Sequence, residues 1–136
     1  MMHIALADID TYLLTLVPGD RVFLRGVPGA GKTTFTQALI RHHLGDKKLT
    51  IVSPTYTYYQ KYGDNLYHFD LYRATAMEDI MRIGADEILE DPDAICLIEW
   101  PDILEGKVHP TKTIDISVQG DKRYFEMRDV KTEPLT

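Results

Sequence analysis

An α/β fold with a mixed central sheet is what this 136-residue sequence predicts, on three observations. A β-prone run, RVFLR, leads straight into the glycine-rich GVPGAGKTT and then into a helical stretch, TTFTQALIRHHL. A second run, AICLI, is continuously apolar, as suits a strand covered on both faces of a sheet. Two further pairs of aromatic or β-branched segments are split by turn residues and read as hairpins. Together they predict three layers, with helices on both sides of one sheet that has a parallel core and antiparallel hairpins added to it.

The elements follow in chain order. Ile4 to Leu16 has apolar residues at helix-compatible spacings and stops at Pro18-Gly19, which predicts a short amphipathic helix. Asp20 opens the strand RVFLR. The helix after the glycine loop is closed by Gly45, with Arg41, His42 and His43 in its last turn, where positive character complements the helix dipole. TYTYYQKY and NLYHFDLY, around Gly63-Asp64-Asn65, form the first hairpin. Strand periodicity puts Tyr56, Tyr58 and Gln60 on one face, and it puts Leu66, His68 and Asp70 together on one face of the next strand. Ala76 to Glu90 is helical in character and broken near Gly84. After AICLIE, Pro101 to Gly106 is a short helix or loop, and TIDISV and RYFEMRDV flank Gln119-Gly120-Asp121 as the last hairpin.

Size and composition narrow the classes of function. Residues 1–136 fit one domain with a single core. A formal charge of −6, from 15 Lys plus Arg against 21 Asp plus Glu, has the wrong sign for gripping a nucleic-acid backbone unaided, so any RNA role is expected to be indirect. The first residues lack a basic leader and carry Asp8 and Asp10, and no apolar run is long enough to span a bilayer. A cytosolic protein with no membrane role is the expectation. The lone Cys96, inside AICLI, is expected to be packed in the core rather than reactive.

The chemistry centres on Gly26 to Thr33, which matches G-x-x-x-x-G-K-[ST] at every fixed position and lies between a predicted strand and a predicted helix. Glycines let successive N–H groups turn toward phosphates, and the helix N-terminus adds the positive end of its dipole. The backbone from Gly29, Ala30 and Gly31 to Lys32, Thr33 and Thr34 is the expected cradle; Lys32 would reach the β- and γ-phosphates and the Thr33 hydroxyl would ligate Mg²⁺. A second strand tipped by a carboxylate should complete the metal shell, and Glu99, directly after the apolar run, is placed for it. Trp100 reads equally as a core-edge residue or as a ring packed over the nucleotide or against a mobile loop. Asp70 either orients the attacking water or caps the next turn.

GVPGAGKTTFTQAL, VSPTYT, YHFDLYR and AICLIEWPD, in that order, make the chain resemble the TsaE (YjeE) family of tRNA threonylcarbamoyladenosine biosynthesis. The resemblance implies a P-loop NTPase-type three-layer fold, Mg²⁺ and ATP binding, slow ATP hydrolysis, and work within a complex with TsaD and TsaB on N6-threonylcarbamoyladenosine at tRNA position 37. By matched position, Lys32, Asp70 and Glu99 would be catalytic, and Thr33 with Glu99 would hold Mg²⁺. Ser53, Thr55 and Tyr56 would belong to a switch beside the γ-phosphate, Trp100 would be needed for function, and Gly120 would fall near a turn closing on the nucleotide. Val27-Pro28 departs from the family's usual Asp-Leu, and Pro28 removes one N–H donor from the loop.

Six of the eight tyrosines lie between Val52 and Arg73. A small hairpin cannot easily satisfy that many hydroxyls, and Tyr is enriched at interfaces, so part of this surface is expected to face a partner protein. A small-molecule kinase is the alternative from another class, yet Ala74 to Pro92 contains only Arg82 as a cation for a phosphate lid. A guanine-binding Asn-Lys-x-Asp is absent, which favours ATP over GTP.

Overall fold

The computed structural model describes residues 2–5 and 15–130. Its elements are β1 (Met2–Ala5), β2 (Arg21–Arg25), α1 (Lys32–Leu44), β3 (Tyr59–Tyr62), β4 (Leu66–Asp70), α2 (Met77–Met81), α3 (Ala85–Glu90), β5 (Ile95–Glu99), β6 (Lys112–Gln119) and β7 (Lys122–Asp129). A 3-10 helix, Pro101–Leu104, follows β5. The strands form one sheet in the order β1-β7-β6-β2-β5-β4-β3. β4, β5, β2 and β6 run parallel to their neighbours, while β3, β7 and β1 are antiparallel additions. The predicted parallel core with antiparallel hairpins is what forms.

Alternation along the strands divides the core into two layers. Val22, Leu24, Leu66, Ile95 and Leu97 pack toward α1 and its Phe35, Leu39 and Ile40. Phe23, Phe69, Cys96 and Ile98 pack toward α2 and α3 through Ile80, Ala85 and Leu89. β5 is buried at every position, which explains why its sequence shows no polar alternation. Cys96 is wholly buried, and burial pushes its thiol up to about 12, so it is inert as a nucleophile in the folded protein. α1 ends as expected at Gly45, whose left-handed backbone (φ 66) turns its N–H onto the carbonyls of Arg41 and His42.

Two expectations are corrected. The helix predicted over Ile4 to Leu16 gives way at its start to β1, where Met2 pairs with Met127 and Ile4 with Phe125; residues 6–14 lie outside the described residues. A four-residue stretch has too few positions to distinguish the two periods, and the open edge of β7 offers ladder bonds that a short helix cannot match. The first hairpin also starts later than its aromatic run. Pro54 to Thr57 forms a turn closed by the Thr57 N–H on the Pro54 carbonyl (3.2 Å), and Tyr58 adopts φ 68, so β3 begins at Tyr59. Tyr56 and Tyr58 therefore share no strand face with Gln60. Tyr59 instead packs on Phe69 and Tyr67, with ring centroids 5.5 and 6.1 Å away.

Asp20 joins the starts of β2 and β6. Its carboxylate accepts from the Val17 N–H (2.9 Å), the Thr111 hydroxyl (2.8 Å) and Lys112 Nζ (3.1 Å). Burial raises its pKa, but these bonds outweigh burial and leave it below the ordinary 3.8. The resulting stabilisation is complete above that value and is lost as pH falls through the lower, folded-state one. Asp20→Asn should cost about 1–3 kcal/mol at neutral pH, a penalty that shrinks below pH 3.8 in acid unfolding followed by circular dichroism. A penalty unchanged by acid would contradict this.

Candidate active site

β2 delivers the chain to the glycine loop at the carboxyl edge of the parallel strands. Gly26 passes so close to β6 that a Cβ there would lie 2.8 Å from the Ile116 carbonyl oxygen, so only glycine fits without a backbone shift. The loop then tightens through the Ala30 N–H to Val27 O bond (3.1 Å), and Gly31, in a left-handed conformation (φ 106), starts α1. Between Val27 and Thr34 it encloses a cavity of about 230 Å³. Backbone donors and a helix N-terminus around such a cavity suit phosphate oxygens.

Lys32 is buried, and its ammonium is folded back onto the loop, donating to the carbonyls of Gly26 and Val27. Trp100 covers it with the ring centroid 3.7 Å from Nζ. Burial pushes the Lys32 pKa below its ordinary 10.5, while Glu99, Asp70 and Asp102 oppose that fall. The lysine therefore borders the cavity with two loop carbonyl oxygens as its acceptors.

Strand register assembles the acids. Glu99 on β5 is level with Leu24 on β2 and Asp70 on β4, and parallel partners project to the same face. Glu99 is 2% exposed; Oε1 accepts from Thr33 Oγ1 at 3.2 Å, and Oε2 lies 2.5 Å from His68 Nε2. Asp70 is also buried, and it both caps the next turn, through the Tyr72 N–H (3.1 Å), and accepts from Thr55 Oγ1 (3.1 Å). Ser53 Oγ is 2.8 Å from that Thr55 hydroxyl. The capping reading of Asp70 is the one these bonds display, with one oxygen on the turn and the other on Thr55 of the predicted switch.

The remaining predicted residues vary in distance from this centre. Trp100 adopts φ 56, an uncommon backbone for a bulky residue, and its ring contacts Tyr72 at 4.9 Å. Thr34 borders the cavity. Tyr56 is 78% exposed and is held by Arg73, which donates to its hydroxyl (3.2 Å) and lies 4.3 Å from its ring centroid. Gly120 turns between β6 and β7 with φ 66, and a Cβ there would meet nothing within 4 Å. That hairpin reaches the loop through Arg123 instead, which donates to Gly29 O from Nη2 (2.9 Å) and Nε (3.3 Å). Arg123 and His68 were not singled out in the sequence. The face shared by Leu66, His68 and Asp70 was the available signal for His68; Arg123 had none, because its partner lies across the sheet.

Thr33 and Glu99 offer adjacent hard oxygen donors, the type Mg²⁺ takes. Among the described residues no group of three or more His, Cys, Asp or Glu could hold a metal. A cation here would share its shell with phosphate and water, as Mg²⁺ commonly does.

A glycine loop between the first parallel strand and α1, faced by a strand-tip carboxylate, defines a P-loop protein of the α/β class. The family model of "Threonylcarbamoyl adenosine biosynthesis protein TsaE" matches residues 4–130, and the chain belongs to this family. It is 40% identical over 98 residues to the tRNA threonylcarbamoyladenosine biosynthesis protein TsaE of Rickettsia typhi, a match covering 70% of this chain and 66% of that protein. The Borreliella burgdorferi TsaE is 41% identical over 117 residues, covering 82% and 83% of the two chains. The crystal structure of Bacillus subtilis YdiB superposes with a TM-score of 0.59 at 31% identity, covering 84% of this chain and 70% of that one. The matched stretch spans about two thirds of the Rickettsia typhi protein. Among the described residues no helix is long and apolar enough to cross a membrane.

Proposed function

We propose that the chain binds Mg²⁺ and ATP at the glycine loop and hydrolyses ATP slowly as an accessory, cytoplasmic subunit of tRNA N6-threonylcarbamoyladenosine synthesis. Its partners in this reading are TsaD and TsaB, with tRNA engaged only through them. The observation that carries the proposal is the meeting of Thr33 and Glu99 beside the buried Lys32. Family membership supplies the pathway.

In this mechanism Lys32 exchanges the Gly26 and Val27 carbonyls for phosphate oxygens, and the loop amides hold the phosphates in place. Thr33 and Glu99 would hold Mg²⁺, which would supply positive charge against the negative charge gathering on the phosphates. Asp70 accepts from Thr55 of the Ser53-Pro54-Thr55 loop, and the oxygen freed when Thr55 releases it would orient water. That release frees the segment carrying the exposed Tyr56, held until then by Arg73, for a protein partner. Holding the segment from outside would complete the site. ATP turnover should therefore rise at least about tenfold when TsaD and TsaB are added, a difference of about 1.4 kcal/mol in barrier. Equal turnover with and without them would reject the coupling, and transfer of phosphate to a small acceptor would favour a kinase.

A further inference from the structure

We infer that His68 is a positioning residue for the metal site, fixing Glu99 so that one carboxylate oxygen is committed to the imidazole and the other is presented beside Thr33. The inference rests on the Mg²⁺ reading above. His68 and Glu99 are 0% and 2% exposed, and Nε2 lies 2.5 Å from Oε2 while Oε1 takes the Thr33 hydroxyl. A carboxylate only accepts hydrogen bonds, so the ring donates from Nε2. Register places His68 opposite Leu97, two residues before Glu99 on β5, with both side chains on the α1 face.

Packing alone gives no reason for an imidazole here. Leu66 and Leu97, its neighbours on that face, are ordinary core residues. His68 Nδ1 is buried with no hydrogen-bond partner among the described residues, an unfavourable arrangement that an apolar side chain of similar size would avoid. The compensation lies at Nε2. Without that bond Oε2 would be a buried, unsatisfied oxygen, and the flexible Glu99 side chain would be free to turn either oxygen toward Thr33 or to approach Lys32. Outer partners that orient a metal-binding carboxylate commonly account for about 10–100-fold in metal affinity. His68 touches neither the loop backbone nor Lys32 among its described hydrogen bonds, so its influence on nucleotide alone should be small.

The test is a calorimetric titration of ADP in Mn²⁺ and in EDTA, with Mn²⁺ affinity of the ADP complex read separately by electron paramagnetic resonance. His68→Leu should weaken Mn²⁺ roughly 10–100-fold and change metal-free ADP affinity less than about twofold. His68→Gln, whose amide nitrogen reaches the Nε2 position, should restore Mn²⁺ affinity to within about threefold, a rescue that mere space-filling would not require. If circular dichroism shows that His68→Leu is unfolded, His68→Asn serves, because its amide falls at the Nδ1 position and leaves Glu99 unbound. Wild-type Mn²⁺ affinity in a folded Leu or Asn variant overturns the inference, as does equal weakening of ADP with and without metal. A wild-type protein whose ADP affinity ignores Mn²⁺ overturns the Mg²⁺ reading and the inference with it.

Discussion

Lys32→Ala should lower ATP turnover by about 100-fold or more and weaken ATP binding in parallel. Hydrogen bonds to a charged group are worth about 1.5–3 kcal/mol each, and the ammonium is set to exchange two carbonyl acceptors for phosphate oxygens. Two such bonds correspond to at least two decades in equilibrium or rate. The loss should exceed that of any surface cation, because Lys32 is buried and Trp100 screens it from water on one face. Turnover assays and calorimetry with a folded variant check this. Unchanged turnover would remove Lys32 from the mechanism and leave the cavity as a glycine turn without a function.

Glu99→Gln should raise the Mg²⁺ concentration needed for half-maximal ATP turnover by at least about tenfold, with little loss of metal-free nucleotide affinity. Gln conserves shape but not charge, and its amide can still accept from Thr33. Its nitrogen, however, would face the Nε2–H of His68, a donor against a donor. Turning the amide over relieves that clash, with its oxygen toward His68 and its nitrogen toward the Thr33 hydroxyl, but it withdraws the oxygen that Glu99 presents beside Thr33. A Mg²⁺ response identical to wild type would count against the metal role.

What could be read in advance was local in sequence. Gly26 to Thr33 announces itself because the loop, its strand and its helix are contiguous, and the same holds for the break at Gly84 and the turn at Gly45. Glu99 was legible because a fully apolar strand leaves its first acid at the sheet edge. Contacts set by distant partners were not. β1 exists by pairing with β7 from the far end of the chain, Arg123 meets Gly29 across 94 positions, and nothing near either residue encodes the meeting. The late start of β3 follows from the Pro54 turn, which overrides the β propensity of the tyrosines behind it. His68 lay on the correct face in plain view. Its role depended on Glu99, 31 positions away.

Trp100 is the protein's only tryptophan, and its ring rests 3.7 Å from the Lys32 ammonium, so its emission reports directly on whether that ammonium has been taken up by phosphate. Titrating the isolated protein with Mg²⁺ and ATP should give a saturable change in emission that is absent from Lys32→Ala. An emission spectrum that stays constant up to millimolar nucleotide would mean that no phosphate reaches Lys32.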